Sequence, residues 1–331
     1  MPVRRETIER LAKLPAHLPN VAISERDLLS RHTRFGIGGP ADLYVEAADE
    51  RGFLEALKLA MAGSDPYVVI GSGSNLIVSD AGFAGIVLRY TGGTIQREDQ
   101  LLRVQAGAEL QTLVDCAIAS GLRGLETMTG IPGSVGGAVY GNAGAYGHSI
   151  DERVTRVRFF DGDSIREWSN SECEFRYRES IFKRHKDWII LSAELAMDKA
   201  EPAELRKTAD EIYNIRLAKY PLDMKCAGSI FKNLLLRELP EGVRAQVPQR
   251  VIREGKVPSA YFLEEVGAKG IENGGIKVAD YHANLIYNQG GGTARELCEI
   301  IAGLKERVRA RFGLQLEEEV QYIGFSPNGS R

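Results

Sequence analysis

The chain is poor in residues that build disulfides and metal centres. Its four cysteines (Cys116, Cys173, Cys226 and Cys298) are widely spaced with no CxxC pair. No disulfide framework is expected, and the pattern fits a reduced, cytoplasmic protein. Five histidines show no HxH or HxxxH spacing, so no metal site is expected. No apolar run reaches the ~18 residues of a membrane-spanning helix. The opening MPVRRETIERL is charged and amphipathic and lacks the apolar core of a secretory signal. An excess of one charge is missing too: 42 Lys+Arg against 45 Asp+Glu leave a net charge of −3, which excludes a bulk-charge nucleic-acid binder. With 12 prolines, 44% hydrophobic residues and no G-X-Y period, neither collagen nor low-complexity sequence fits.

Glycine, by contrast, is abundant. There are 36 in 331 residues; 21 precede residue 148, and nine lie between Gly121 and Gly147. Clustered glycine marks backbone that turns sharply or approaches another group closely.

The length suggests two domains at roughly 150 residues each. Helical spacing is expected at 5–14, 49–61, 109–119 and 203–219, the last stopped by Pro221. A last helix over 294–312 opens on a Thr293/Glu296 capping box. Strands are expected at 43–47, 67–70, 86–88, 101–105, 154–160, 188–195 and 320–323. Strict βαβ alternation is absent, so α+β is favoured over a doubly wound sheet.

Two glycine stretches stand out. VVIGSGSNLIV (68–78) runs from an apolar strand into a loop whose amides, from Gly71 to Asn75, can curl round a phosphate as a nest. A tight turn between two strands explains it equally. The dinucleotide fingerprint fails because position 76 is Leu, and no GK[ST] is present. GIPGSVGGAVYGNAGAYG (130–147) combines Pro132 with glycines that permit close approach, as along an extended cofactor or between two closely packed elements. Two such loops in one half favour a dinucleotide over a single phosphate.

TRFGIGGPADLYVEA (33–47), GSGSN (71–75) and GIPGSVGGAVYGNAGAYG, in this order, resemble the flavin-binding half of the UDP-N-acetylenolpyruvoylglucosamine reductase (MurB) family. EFRYRESIFK (174–183), CAGSIFKN (226–233) and LEEEVQYIG (316–324) resemble three further motifs of that family. The likeness runs from about residue 30 to 325. It implies an α+β fold: a two-part FAD-binding domain of the vanillyl-alcohol-oxidase-like type plus a C-terminal α+β substrate domain. The boundaries expected are a helical extension at 1–30, an FAD-binding domain at 31–202, a substrate domain at 203–325 and a tail at 326–331. Non-covalent FAD contacts are implied for Gly71, Ser72, Gly73, Ser74, Asn75, Leu76, Gly130, Ile131, Ser134, Gly136, Gly137, Asn142 and Ala143.

The implied reaction uses NADPH, through FAD, to reduce UDP-N-acetylglucosamine enolpyruvate to UDP-N-acetylmuramate for peptidoglycan. Hydride goes to the terminal vinylic carbon and leaves an enolate-like intermediate. Such an intermediate needs cationic and hydrogen-bond donors at its oxygens. The resemblance gives that task to Arg178 and to a protonated Glu319, with burial or Glu317 and Glu318 raising its pKa. It makes Ser229 the proton donor to carbon. Tyr177, Arg216, Lys219, Lys232 and Asn233 are the implied substrate contacts, with Glu264 or Glu265 as an undecided addition.

Read alone, these residues say less. Arg176 and Arg178 alternate with Phe175 and Tyr177 like a strand with one wet face, Ser229 is a turn residue, and Glu317 to Glu319 are a solvated acidic run. The chain departs from the family pattern at His32, Leu234 and Tyr261-Phe262. The short spacing from Arg178 to Ser229 matches the family's type II form, which lacks a substrate-covering tyrosine loop. The competing readings are another FAD-dependent sugar or alcohol oxidoreductase and an inactive nucleotide-binding module. Loop 68–78 has no His or Cys for a covalent flavin link, which disfavours the first. The intact Arg178, Ser229 and Glu319 disfavour the second. No obligatory protein partner is evident.

Overall fold

The computed structural model describes residues 6–325 except Ile8 and Ala12. The tail at 326–331 and residues 5, 8 and 12 of the expected first helix lie outside the described residues. Glu6, Thr7 and residues 9–11 of that helix are helical.

The chain forms two compact units. The first comprises residues 1–27, 41–72 and 84–222, and the second 28–40, 73–83 and 223–331. Helix Pro202–Lys219 therefore belongs with the first unit and not, as the expected boundary at residue 203 has it, at the start of the C-terminal domain. Leu205, Ala209 and Ile212, on one face, are buried, and Leu205 and Ala209 join the core of that unit. Two loops of the N-terminal half, 28–40 and 73–83, belong to the second unit.

The first unit is built on two sheets. One has the strand order Val21–Glu25, Ala41–Ala47, Phe83–Tyr90, Tyr67–Ile70. Its last pair is parallel, with Tyr67 opposite Ile86. The other runs Ile165–Ser169, Val154–Phe160, Ile189–Ala196, Leu101–Gln105, Ile95–Glu98, antiparallel throughout. Helix Leu110–Ala119 buries Leu110, Leu113, Val114, Ala117 and Ile118, the face its spacing predicts. Arg158 of the second sheet grips Glu50 of helix Glu50–Ala62 with two bonds of 2.5 and 2.9 Å, a charge-assisted fork. Phe159 packs against Trp168, Phe182 and Trp188, uniting both tryptophans of the chain.

The second unit centres on helix Ala294–Phe312, which buries Leu297, Ile300, Ile301, Leu304 and Val308 against Phe231 and Phe262 among others. The capping box at Thr293 and Glu296 is present. Asp80 adds a bidentate cap, accepting from the amides of Ala294 at 2.8 Å and Arg295 at 3.0 Å. An antiparallel sheet of Glu272–Asn273, Ile276–Val278 and Ile286–Asn288 covers the core. Strand Leu76–Val78 pairs in parallel with Gln321–Ile323. Antiparallel pairing predominates in both units, as an α+β fold requires.

At the start of helix Glu50–Ala62, Asp49 accepts from the amide of Gly52 and from Asn20, each at 2.7 Å. These bonds favour the charged carboxylate, the Gly52 amide most, and hold its pKa below the ordinary value. A lowered folded pKa gives stability that is present above the unfolded value and lost as pH falls through the folded one. Asp49→Ala should therefore cost ~1 kcal/mol at neutral pH. The difference from wild type should shrink below about pH 3.9, as read by urea melts at several pH values.

Candidate active site

The first glycine loop begins in the first unit. A Cβ on Gly71 would lie 2.7 Å from the Ser134 hydroxyl, so the two glycine stretches approach each other there and only glycine fits. No hydrogen bond runs from the amides of residues 71–75 to another described residue. The Ser72 hydroxyl is buried and has no partner among the described residues. A buried hydroxyl without a partner is costly, and an anion resting on it and on the loop amides would remove that cost. The residues present thus fit a phosphate-bearing cofactor.

The second stretch is different. It forms a short helix, Val135–Tyr140, with Ser134 as N-cap accepting from Gly137 at 3.3 Å. The serine cap outweighs the low helix propensity of two glycines. Val135 donates to Ala108 and Gly136 to Ala106, each at 2.8 Å, while Gly130 donates to Gln111 at 2.7 Å and Ile131 to Met128 at 3.0 Å. These amides are committed inside the unit. Close approach is what the glycines supply: a Cβ on Gly136 would come within 2.9 Å of the Ala106 methyl, and one on Gly130 within 3.2 Å of Arg216 Nε. Arg216 therefore lies against the loop at Gly130. Arg216 and Lys219 also flank the Tyr220 ring, at 5.4 and 5.0 Å from its centre.

Arg178 does not sit on a strand. Arg176 and Glu179 exchange two backbone bonds of 3.0 Å, closing a tight turn with Tyr177 and Arg178 at its tip. Arg178 has φ +56°, a left-handed conformation that costs a non-glycine residue of order 1 kcal/mol or more. The hydrogen bonds of the turn, not alternation, decide its shape. The Arg178 guanidinium donates to the carbonyls of Asn142 at 3.4 Å and Gly144 at 2.8 Å, and lies 5.6 Å from the Tyr177 ring centre. Buried Asn142 completes the brace by donating to the Arg176 carbonyl at 3.0 Å and accepting from the Asp151 amide at 3.3 Å. Ala143 follows with its amide on Ala138 at 2.8 Å.

In the second unit Ser229 and Glu319 lie on neighbouring backbone. The Glu319 amide donates to the Ile230 carbonyl at 2.7 Å, Phe231 bridges Glu318, and Lys232 donates to the Glu317 carbonyl at 2.9 Å. Segment 229–232 is fixed from its other side by Asn284, 2% exposed, which bonds Phe231 through both its amide oxygen and its nitrogen at 2.9 Å. In the sequence Asn284 carries one signal, a polar residue inside the apolar stretch ANLIYN. The acidic run divides by partner. Glu317 pairs with buried Lys232 at 2.5 Å, and Glu318 with Lys305 at 2.6 Å. Two lysines thus offset the repulsion that adjacent glutamates would exert. Asn233 accepts from the Ser259 amide at 3.3 Å. Glu264 and Glu265 are bonded to Lys269 at 3.1 Å and Arg311 at 2.5 Å.

Within the second unit Gly73, φ +70°, runs close to residues 32–34: a Cβ there would lie 1.8 Å from the His32 carbonyl oxygen, and its carbonyl accepts from the Arg34 amide at 3.1 Å. The Asn75 side chain donates to the Glu319 carbonyl at 3.0 Å. None of the four cysteines is in a disulfide. No metal-binding cluster and no helix long and apolar enough to cross a membrane occurs among the described residues.

This architecture defines a class. Residues 41–167 match the family model described as FAD binding domain, so the chain is an FAD-dependent oxidoreductase in type. Residues 220–323 match the C-terminal domain model of UDP-N-acetylenolpyruvoylglucosamine reductase. The reductase of that name from Solibacter usitatus is 60% identical over 309 residues, covering 93% of this chain and 99% of its own length. Its counterpart from Clostridioides difficile is 35% identical over 303 residues, covering 89% and 91%. The crystal structure of the reductase (MurB) from Thermus caldophilus matches with a TM-score of 0.72 and 29% identity, over 92% of this chain and 99% of that one. The chain belongs to the UDP-N-acetylenolpyruvoylglucosamine reductase family.

The brace at Asn142 can be tested by itself. Asn142→Ala leaves the Arg176 carbonyl and the Asp151 amide without their partner, and should cost about 1–3 kcal/mol in a denaturant melt. An unchanged midpoint would show that the turn bearing Arg178 is held by other means.

Proposed function

We propose that Arg178, Ser229 and Glu319 carry out the reduction of UDP-N-acetylglucosamine enolpyruvate to UDP-N-acetylmuramate in this chain, with NADPH as reductant. Bound FAD supplies the hydride carrier between the two substrates. Loop 71–76 would hold the cofactor through its amides and the Ser72 hydroxyl, and Gly130, Ile131, Ser134, Gly136, Gly137, Asn142 and Ala143 would contribute the remaining contacts.

The observation that carries the reading is the pairing of Glu319 with the residue next to Ser229, the 2.7 Å bond between the Glu319 amide and the Ile230 carbonyl. A proton donor to carbon and a donor to the adjoining carboxylate must be held in fixed relation, and paired backbone does this at little entropic cost. Ser229 gives its proton to the carbon that becomes electron-rich once hydride has added; a carbanion-like acceptor is basic enough to take it. Glu319 is the second group assigned to the enolate-like oxygens, and Arg178 supplies fixed positive charge. The strained turn places that guanidinium on a braced backbone. Tyr177, Arg216, Lys219, Lys232 and Asn233 serve the anionic substrate. Lys232 and Asn233 already hold Glu317 and the Ser259 amide, so their contribution combines binding with support of the Ser229 segment.

Ser229→Ala tests the assignment. Bleaching of the flavin by NADPH should proceed within about twofold of wild type, while reoxidation by the enolpyruvyl sugar nucleotide should slow by roughly 10²-fold or more. Stopped-flow absorbance separates the two steps. Equal loss in both would give Ser229 a folding or binding role instead.

A further inference from the structure

The residues that follow the glycine loop are hydrogen-bonded directly to the run that carries Glu319. Residues 317–323 pair twice. Their first half meets 230–232, through the bonds between Glu317 and Lys232 and between Glu319 and Ile230. Their second half lies in parallel register with the strand after the loop: Gln321 opposite Leu76, Tyr322 opposite Ile77, Ile323 opposite Val78. Asn75 stands where one pairing gives way to the other. Its carbonyl accepts from the Gln321 amide at 2.9 Å, and its side-chain amide donates to the Glu319 carbonyl at 3.0 Å.

Both peptide groups flanking the Glu319 Cα are therefore bonded, the preceding one to Ile230 and the following one to Asn75. Together they set the direction in which the Glu319 side chain leaves the backbone. An asparagine in a loop usually bonds its own backbone two residues on; this one reaches a residue 244 positions away in sequence. The far end of the segment is fixed as well. The Ser79 amide donates to the Ile323 carbonyl at 2.9 Å, and Asp80 caps helix Ala294–Phe312.

We propose that Asn75 is a positioning residue for Glu319, coupling occupancy of the glycine loop to the placement of that carboxyl group. The proposal rests on the role given to Glu319 above. Coupling of this kind is reciprocal: whatever orders loop 71–75 orders the backbone at 319–321, and the reverse.

Asn75→Asp keeps the shape but replaces the donor by an oxygen facing the Glu319 carbonyl. Hydrogen exchange on wild-type protein should show FAD slowing exchange across 317–323 as well as across 130–143. In Asn75→Asp the protection at 317–323 should vanish while that at 130–143 stays. Asn75 belongs to the cofactor loop, so bleaching by NADPH of the FAD-saturated variant serves as the reference against which reoxidation is read. Reoxidation by the enolpyruvyl sugar nucleotide should slow roughly 10- to 100-fold more than bleaching does, the effect of a small misplacement of a catalytic group. Undiminished FAD-dependent protection at 317–323 in the variant would overturn the proposal, as would bleaching and reoxidation of the FAD-saturated variant falling by the same factor. If the variant does not fold, the wild-type exchange decides: no FAD effect at 317–323 overturns it. A wild-type protein that is never reoxidised by the sugar nucleotide would instead overturn the role of Glu319, leaving the exchange result to report on the coupling alone.

Discussion

One short run of backbone, 317–323, is shared by two partners, and the residues proposed for the second unit's chemistry depend on it. Its amides and carbonyls are taken up first by the segment after Ser229 and then by the strand after the glycine loop. A single run cannot slip against one partner without breaking its pairing with the other. Side-chain bonds secure both partners: Asn284 holds Phe231, and Asp80 ties the loop segment to the longest helix. Serine and glutamate, weak signals separately, thereby occupy fixed neighbouring backbone.

The glycines divide by physical task. Those at 71 and 73 sit where any side chain would meet another chain segment, and the amides there donate nothing to the described protein. Those at 130 and 136 have committed amides and permit close packing against Arg216 and Ala106. The first pair leaves its amides open to the proposed cofactor, and the second packs its loop within the first unit. One compositional excess thus covers two situations, and only hydrogen-bond accounting separates them.

Much of this was legible in the residues. The helix at 110–119 follows from its apolar period, and the last helix from that period plus its Thr293/Glu296 box. Loop 71–75 was legible as a possible nest because Gly and Ser leave the backbone exposed. The turn at Arg178 was not. Alternation of Arg with aromatic residues predicts a strand, and the brace that overrides it comes from Asn142, distant in sequence. The short helix at Val135–Tyr140 was hidden because glycine argues against helix, while a serine cap and tertiary packing decide for it. Assignment of 28–40 and 73–83 to the second unit was also hidden, since it depends on pairing with residues beyond 284 that no local pattern announces. Asn75 shows the same limit: its type marks a loop, but its partner, Glu319, lies at the other end of the chain.

In the proposed function, reducing equivalents pass from NADPH to an enolpyruvyl sugar nucleotide. The most direct test is an anaerobic titration of the NADPH-bleached wild-type protein, followed at the flavin absorbance band. UDP-N-acetylglucosamine enolpyruvate should restore the oxidised spectrum and yield UDP-N-acetylmuramate in equal amount. A protein that oxygen recolours rapidly and the sugar nucleotide leaves bleached would contradict it.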